Sequence, residues 1–373
     1  MLSRIVAALG VVVCAAKPST GLRPVLPAKY NALVAGSTGS SFSEVAKVIS
    51  VDMPTLQPDE ALIEVRYAGV NGGCETFRAR GDHLFAQNKD IVDFALGAEG
   101  VGVVAAVGGD VRDVAVGDSV CFVNAAFAEY STAKASTLWK IPEASPEYVG
   151  LRISALTSCA MLEETGNLQA GETVLVTAAA GGAGHFAVQL AKLRGAVVVG
   201  TCSSEKKAAV LRALGCDHVV NYKELQGCTL AEAFRKVCPQ GFDVVLEGVG
   251  GAMLKASLEA LGPKGRLLQI GYISEYPHNG GAEQEAAQHD LEAGDLFWKR
   301  KTVQRGEQVI IGNAWPDFSK VATSKGRVLS LFRDGQLRSI VDEVPFDGLA
   351  SVSTALDHML SGNTVGKVVV KIS

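Results

Sequence analysis

Aromatic residues are scarce in this chain, at 6% of 373 residues, and charged residues reach only 20%. A disordered chain would be rich in charge and poor in apolar side chains, and the 48% hydrophobic content excludes one. Positive charge is not in surplus. Lys and Arg number 35 against 39 Asp and Glu, a net charge of −4, which argues against a nucleic-acid partner. No C-x-x-C pair occurs among the eight cysteines at 14, 74, 121, 159, 202, 216, 228 and 238. That removes zinc-ribbon and thioredoxin motifs and leaves reduced thiols, several of them on apolar strands. No apolar run reaches the roughly 20 residues that span a bilayer.

Glycine, by contrast, is plentiful. The 41 glycines are about 11% of the chain, against a usual share of about 7%. They follow no G-X-Y period, so collagen is excluded and turns, close backbone approaches or tight packing must account for them. The length predicts two domains plus an appendage. The appendage is residues 1 to about 27, a leader outside the fold. Arg4, Lys17 and Arg23 are basic, residues 5–16 are apolar, and the first acid is Glu44. An acid-free, basic leader predicts import into the mitochondrion first, the chloroplast second and secretion third, with a frayed tail as the plain alternative.

Two rhythms divide the remainder. From about 30 to 139 short strands are broken by Gly, Pro and Asp, at 60–67, 97–107 and 116–123. This half is β-rich and barrel-like, with glycines at 97, 100 and 102 where another backbone must approach. A helix over 155–166 leads out of it. From Glu172 strands and helices alternate. Strands are expected at 173–177, 196–200, 218–220, 243–246 and 265–271, with helices at 183–193, 205–214 and 230–237. Alternating units imply a parallel sheet covered on both faces. Residues 272–307 read as a polar excursion with a short helix, 308–311 as an edge strand, and 352–360 and 366–372 as a closing helix and strand.

The sharpest motif is Val174-Leu-Val-Thr-Ala-Ala-Ala-Gly181-Gly182-Ala-Gly184, between an apolar strand and an Ala-rich helix. This is the context of a dinucleotide fingerprint, in which Ala180, Gly181, Gly182, Ala183 and Gly184 offer backbone N–H groups and a helix N-terminus to a pyrophosphate. The second strand ends in Thr201-Cys-Ser203-Ser204 with no acid for a ribose diol. Small hydroxyls followed by Lys206 and Lys207 suit the 2′-phosphate of NADPH. A serine N-cap followed by solvated lysines is the alternative, and both can hold at once.

These residues resemble the medium-chain dehydrogenase/reductase superfamily, in its zinc-free quinone oxidoreductase-like branch. The likeness is carried by Gly69-Val-Asn71, Gly97-x-Glu99-Gly-Val-Gly102, Ser131 and its strand, the 174–184 motif, and Gly200-Thr-Cys-Ser-Ser204. It continues through Leu214-Gly-Cys-Asp217, Asn221-Tyr-Lys223, Gly248-Val-Gly-Gly-Ala-Met253, Lys264-Gly-Arg-Leu267 and Gly366-Lys-Val-Val369. The resemblance implies an α/β fold: a Rossmann-type doubly wound parallel sheet (158–312) plus a GroES-like β-barrel domain (28–157 and 313–373). NADPH would lie between them. Lys207 would meet the 2′-phosphate, Tyr222 the adenosine end, and Gly248, Gly271 and Tyr272 the nicotinamide side. Homodimers joined edge to edge are implied, with no membrane span.

Zinc-dependent relatives carry Cys and His where this chain has Asn71 and Ala98, and the six histidines show no ligand spacing. Without metal, the reachable chemistry is hydride transfer to an enone or quinone. Asn71 is then the candidate catalytic donor to the developing enolate, or else an Asn that satisfies its own turn. The 71–83 stretch departs from the family, with Cys74 or Glu75 in place of an Asp and Phe77 and His83 in place of tyrosines. A weakly active organellar subunit or sensor that still binds cofactor, and an alcohol dehydrogenase, are the other readings. His278 and His289 read as exposed loop residues.

Overall fold

The computed structural model describes residues 26–39, 41–79, 94–276, 292–313 and 321–373. Residues 1–25 of the leader, His83, His278 and His289 lie outside the described residues, as does the side chain of Phe77.

Apolar alternation builds the nucleotide-side sheet. Val174 and Val176 enter one core and Leu175 the other; Val198 and Val199 part in the same way, as do Leu246 and Val245. Successive strand side chains point to opposite faces, so strands with no polar face must be covered on both sides. From one edge the strands run His218–Asn221, Val197–Cys202, Thr173–Val176, Phe242–Glu247, Leu261–Gln269, Gln308–Ile311 and Thr302–Arg305. All neighbours are parallel except the last pair. The order reverses at Thr173–Val176, which opens the crevice where doubly wound sheets bind ligands. The helices Gly184–Leu193, Glu205–Ala213 and Leu230–Val237 stand close to their expected ranges.

One expectation is corrected. Gln308–Ile311 is an interior strand, paired on both sides, and Thr302–Arg305 forms the edge. The two make a hairpin through Gly306 (φ +61°), whose positive φ lets the chain reverse within a few residues. The strand expected at 265–271 begins earlier, at Leu261.

The other half is a barrel-like domain centred on Glu60–Gly69, which pairs antiparallel with Glu99–Val107, Tyr130–Lys134 and Val369–Lys371. The last of these is the chain end returning to the first domain. A smaller sheet, Ala46–Asp52, Lys29–Ala35 and Phe94–Ala95, lies beside it. The connecting helix is longer than expected. It runs from Leu151–Ala155 through Leu156–Ala160 to Met161–Thr165, with wide π-type turns at both ends.

Gly102 shows why the barrel strand is glycine-rich. A Cβ there would stand 2.2 Å from the Glu64 carbonyl oxygen and 2.7 Å from Ile63 Cγ2. Gly102→Ala is therefore expected to lower unfolding stability by about 1–3 kcal/mol through overpacking. Gly109→Ala, with nothing within 4 Å, should be nearly neutral. Denaturant titration of both variants against the parent checks this.

Candidate dinucleotide-binding cleft

A cleft of about 430 Å³ opens between the two halves. Its floor is the turn from Thr177 to Ala183, between the strand Thr173–Val176 and the helix Gly184–Leu193. The turn is held on the nucleotide side by the neighbouring strand. The Ala178 N–H donates to Thr201 Oγ1 at 3.2 Å, and the Ala179 N–H to the Thr201 carbonyl at 3.1 Å. Gly184 allows no side chain, because a Cβ would lie 2.4 Å from the Ala178 carbonyl oxygen. The result is bare backbone at a helix N-terminus, the arrangement that suits a phosphate anion.

Ala180, Gly181, Gly182, Ala183 and Gly184 all line this cleft, as do Thr201, Ser203, Lys207 and Tyr222 toward one end and Gly248 and Gly271 toward the other. Two expected residues do not. Ser204 caps the next helix, its hydroxyl accepting the Lys207 N–H at 3.4 Å. Tyr272 is buried against Tyr276 and Phe297, its hydroxyl accepting from Trp298 Nε1. Lys206 turns outward to an ion pair with Glu343. Lys207 turns inward, donating to Ser203 Oγ at 3.2 Å and to the Gly362 carbonyl, and burial lowers its pKa.

Asn71 is in the cleft wall but already engaged. Its Nδ2 donates to Glu99 Oε1 at 3.0 Å and to the Gly69 carbonyl at 3.4 Å, and its Oδ1 accepts from Lys367 Nζ at 2.7 Å. Both amide hydrogens thus have acceptors in the protein. Lys367 and Glu99 form an ion pair at 2.7 Å, with side chains 3% and 0% exposed. Lys367 also donates to the Val70 carbonyl, and Glu99 Oε2 accepts the Ile153 N–H. The Lys367 side chain runs beside Gly182, where an added Cβ would be 3.4 Å from its Cδ. Sequence reasoning used Gly366-Lys-Val-Val369 as a family signature without giving Lys367 a role, since nothing local shows that the chain end meets the phosphate turn.

Two further residues escaped the sequence. Tyr276 lines the inner end, buried but not sealed off, and burial pushes its phenol well above the usual tyrosine range. It follows the glycine turn at 271 by five residues, in a stretch that carries no recognised motif. His185 lies under the phosphate turn, its Nδ1 2.9 Å from the Gly181 carbonyl and its Nε2 accepting the Ile340 N–H. The neutral ring with Nδ1–H satisfies both bonds, and burial depresses its pKa to about 4. The cleft wall also includes apolar or small residues, among them Val70, Gly72, Cys74, Met359 and Leu360.

The Zinc-binding dehydrogenase family model matches residues 182–324, and the Alcohol dehydrogenase GroES-like domain model matches 57–143. The chain is 35% identical to the Probable quinone oxidoreductase of Leishmania amazonensis, over 93% of this chain and 99% of that protein. It is 36% identical to Prostaglandin reductase-3 of Mus musculus, over 93% and 90%. Among solved structures it is similar to mycobacterial Rv1454c complexed with NADPH, with a TM-score of 0.72, 26% identity, and 92% and 99% of the two chains covered.

Removing one partner of a buried ion pair leaves the other charge unpaired. Lys367→Met or Glu99→Leu should each cost about 3–5 kcal/mol, and the two together less than the sum of the separate changes. Chemical denaturation of the three proteins tests this. For His185, the folded pKa of about 4 lies below the usual 6.5, so stability is full above 6.5 and is lost as pH falls toward 4. The loss approaches roughly 3 kcal/mol. The Tm of the parent, measured against His185→Gln at each pH, should fall over that window.

Proposed function

We propose, from the premise that the chain belongs to the medium-chain dehydrogenase/reductase superfamily, that it is a zinc-independent, NADPH-dependent reductase of enones or quinones. The substrate class is an α,β-unsaturated ketone or aldehyde, of the 15-oxoprostaglandin type, or a quinone. The observation that carries this reading is Lys207, set in the cleft wall with Ser203 at the end of the second strand, where a diol-binding acid would stand in an NAD site. Quinone oxidoreductase and prostaglandin reductase relatives, and a relative solved with NADPH, support it.

The residues fit the cofactor. The bare turn 181–184 and its helix N-terminus would hold the pyrophosphate, with the Lys367 charge alongside. Ser203 and Lys207 would hold the 2′-phosphate, and Tyr222 would lie against the adenosine. Bound NADPH supplies a hydride, two electrons and one proton's worth of hydrogen, to the β-carbon of the enone. Val249, Ile270, Ile273 and Phe297 line that end and exclude water. Negative charge then develops on the carbonyl oxygen, and the Tyr276 hydroxyl is the protein donor we assign to it. The α-carbon takes its proton from solvent. Asn71 acts through Lys367, whose ammonium it holds in place.

Zinc does not fit. The two ligand positions hold Asn71 and the buried Ala98, and among the described residues no group of three or more His, Cys, Asp and Glu side chains could hold a metal ion. We further propose mitochondrial import by the leader, and a homodimer formed through Thr302–Arg305, the strand at which the sheet order ends. No helix among the described residues is long and apolar enough to cross a membrane.

NADPH oxidation followed with a panel of enones and quinones is expected to show turnover. Tyr276→Phe should lower kcat by about 10²-fold with KM little changed. Lys207→Glu should abolish the preference for NADPH over NADH. NADPH binding without turnover of any substrate would overturn the reductase reading.

A further inference from the structure

The strand Phe242–Glu247 ends in an acid that the mechanism does not use. Glu247 is wholly buried, and so is Gln269 on the neighbouring strand. The two are register partners, Glu247↔Gln269, on parallel strands. Side chains at paired positions share one face and start from backbones about 4.8 Å apart. Each carries one oxygen with no hydrogen-bond partner among the described residues: Oε2 of Glu247 and Oε1 of Gln269. The orientation of Gln269 is set by its other end, since Nε2 donates to the Ala293 carbonyl at 3.0 Å. Oε1 of Glu247 is supplied already, accepting the N–H groups of Val249 at 2.8 Å and Gly250 at 3.0 Å, with the Thr177 hydroxyl at 3.4 Å.

Two orphaned acceptors side by side in a dry core are costly, and one proton cures both. We infer that Glu247 is a neutral carboxylic acid whose Oε2–H donates to Gln269 Oε1, and that it is the positioning residue for the 248–250 turn at the inner end of the cleft. The turn hangs from the acid's other oxygen. Gly248 and Val249 of this turn line the cleft, and the Gly248 N–H is tied to Thr177 Oγ1 at 2.9 Å. Loss of the proton would put a charge against an unprotonated amide oxygen and loosen the strand pair that carries the turn.

The surrounding charges agree. Glu275, whose Oε1 accepts the Gly251 N–H at 2.6 Å, adds negative charge, with Glu292 behind it. The phenol of Tyr276, packed against Tyr272, is close enough for negative charge on Glu247 and on Cys74 to raise its pKa further. Asp295 of the neighbouring helix Ala293–Trp298 is neutralised by Lys299 and Lys301. Among the described residues, no lysine or arginine is among the groups that act on Glu247. Burial pushes its pKa from 4.5 up to about 7. A folded value above the unfolded one means that ionisation opposes folding. The contribution to stability is full below about 4.5, falls as pH rises, and is gone once pH passes about 7. This slope is opposite to that of His185, so the parent alone does not reveal it.

The test compares the full-length parent with Glu247→Gln, which keeps the hydrogen bonds but cannot ionise. An infrared difference spectrum near pH 6 is expected to show a protonated-carboxyl band in the parent that Glu247→Gln lacks. The parent's Tm, taken relative to the variant at each pH so that His185 cancels, should fall by a few degrees between about pH 5 and about pH 8. No difference band, or a pH-independent Tm difference, overturns the proposal. Where Glu247→Gln does not fold, Gln269→Leu replaces it: a shifted carboxyl band supports the proposal and an unmoved band overturns it. The positioning role rests on the NADPH reading. There, NADPH affinity should weaken severalfold through pH 7 in the parent and stay level in Glu247→Gln, and a level profile in both overturns that role. If NADPH binds neither protein, the reductase reading fails by itself, since the infrared and Tm readouts need no cofactor.

Discussion

Lys367 carries a positive charge into the seam between the two halves, at 3% exposure, and much of the surrounding structure follows from keeping it there. A desolvated ammonium needs a counter-charge and acceptors for its three hydrogens. Glu99 from the barrel supplies the charge, and Asn71 and the Val70 carbonyl supply acceptors. Glu99 in turn holds the Ile153 N–H at the start of the connecting helix. Three chain segments, near 70, 99 and 153, are thereby tied to a fourth at 367. The same final segment reaches the phosphate turn, where the Gly366 N–H donates to the Ala180 carbonyl at 2.7 Å. The interdomain seam and the floor of the cleft are therefore one hydrogen-bonded unit.

Both ends of the cleft rest on buried groups that must stay neutral. His185 joins the phosphate turn to Ile340 and is held uncharged by burial, with Lys367 adding to the effect. Glu247 joins the inner turn to its own strand, and burial raises its pKa instead. The same cause, desolvation, moves a base down and an acid up. The cleft thus has polar anchors at both ends, while the charged form of each anchor is disfavoured by the apolar layers on either face of the sheet.

Much of the nucleotide side was legible from local pattern. The helix Leu230–Val237 falls where its period places it, and the turn at 181–184 stands between the expected strand and helix. These features depend on neighbours within a few residues, so periodicity and glycine spacing report them. Lys207 was legible because it follows the end of a strand by a fixed short interval. Ser204 and Lys207 differ only in which way the first helical turn faces them, and only one of the pair reaches the cleft. The edge of the sheet was misplaced because the apolar Gln308–Ile311 reads as a strand, whereas Thr302–Arg305 is equally short, has one apolar residue and falls inside the stretch expected to be a polar excursion. Which of them lies outside is a matter of pairing order, not composition.

The sequence by itself determined the two fold classes, the phosphate turn and the lack of an acid at the second strand end. Each is written in contiguous residues whose backbone preferences and side-chain period act locally. Only the tertiary structure decided that Asn71 is held by Glu99 and Lys367, that Tyr276 brings a phenol to the inner end, and that Glu247 and Gln269 stand side by side. Those pairings join residues 22 to 296 positions apart. Their partners are set by strand order and by where the chain end returns, which long-range packing chooses and no local pattern records.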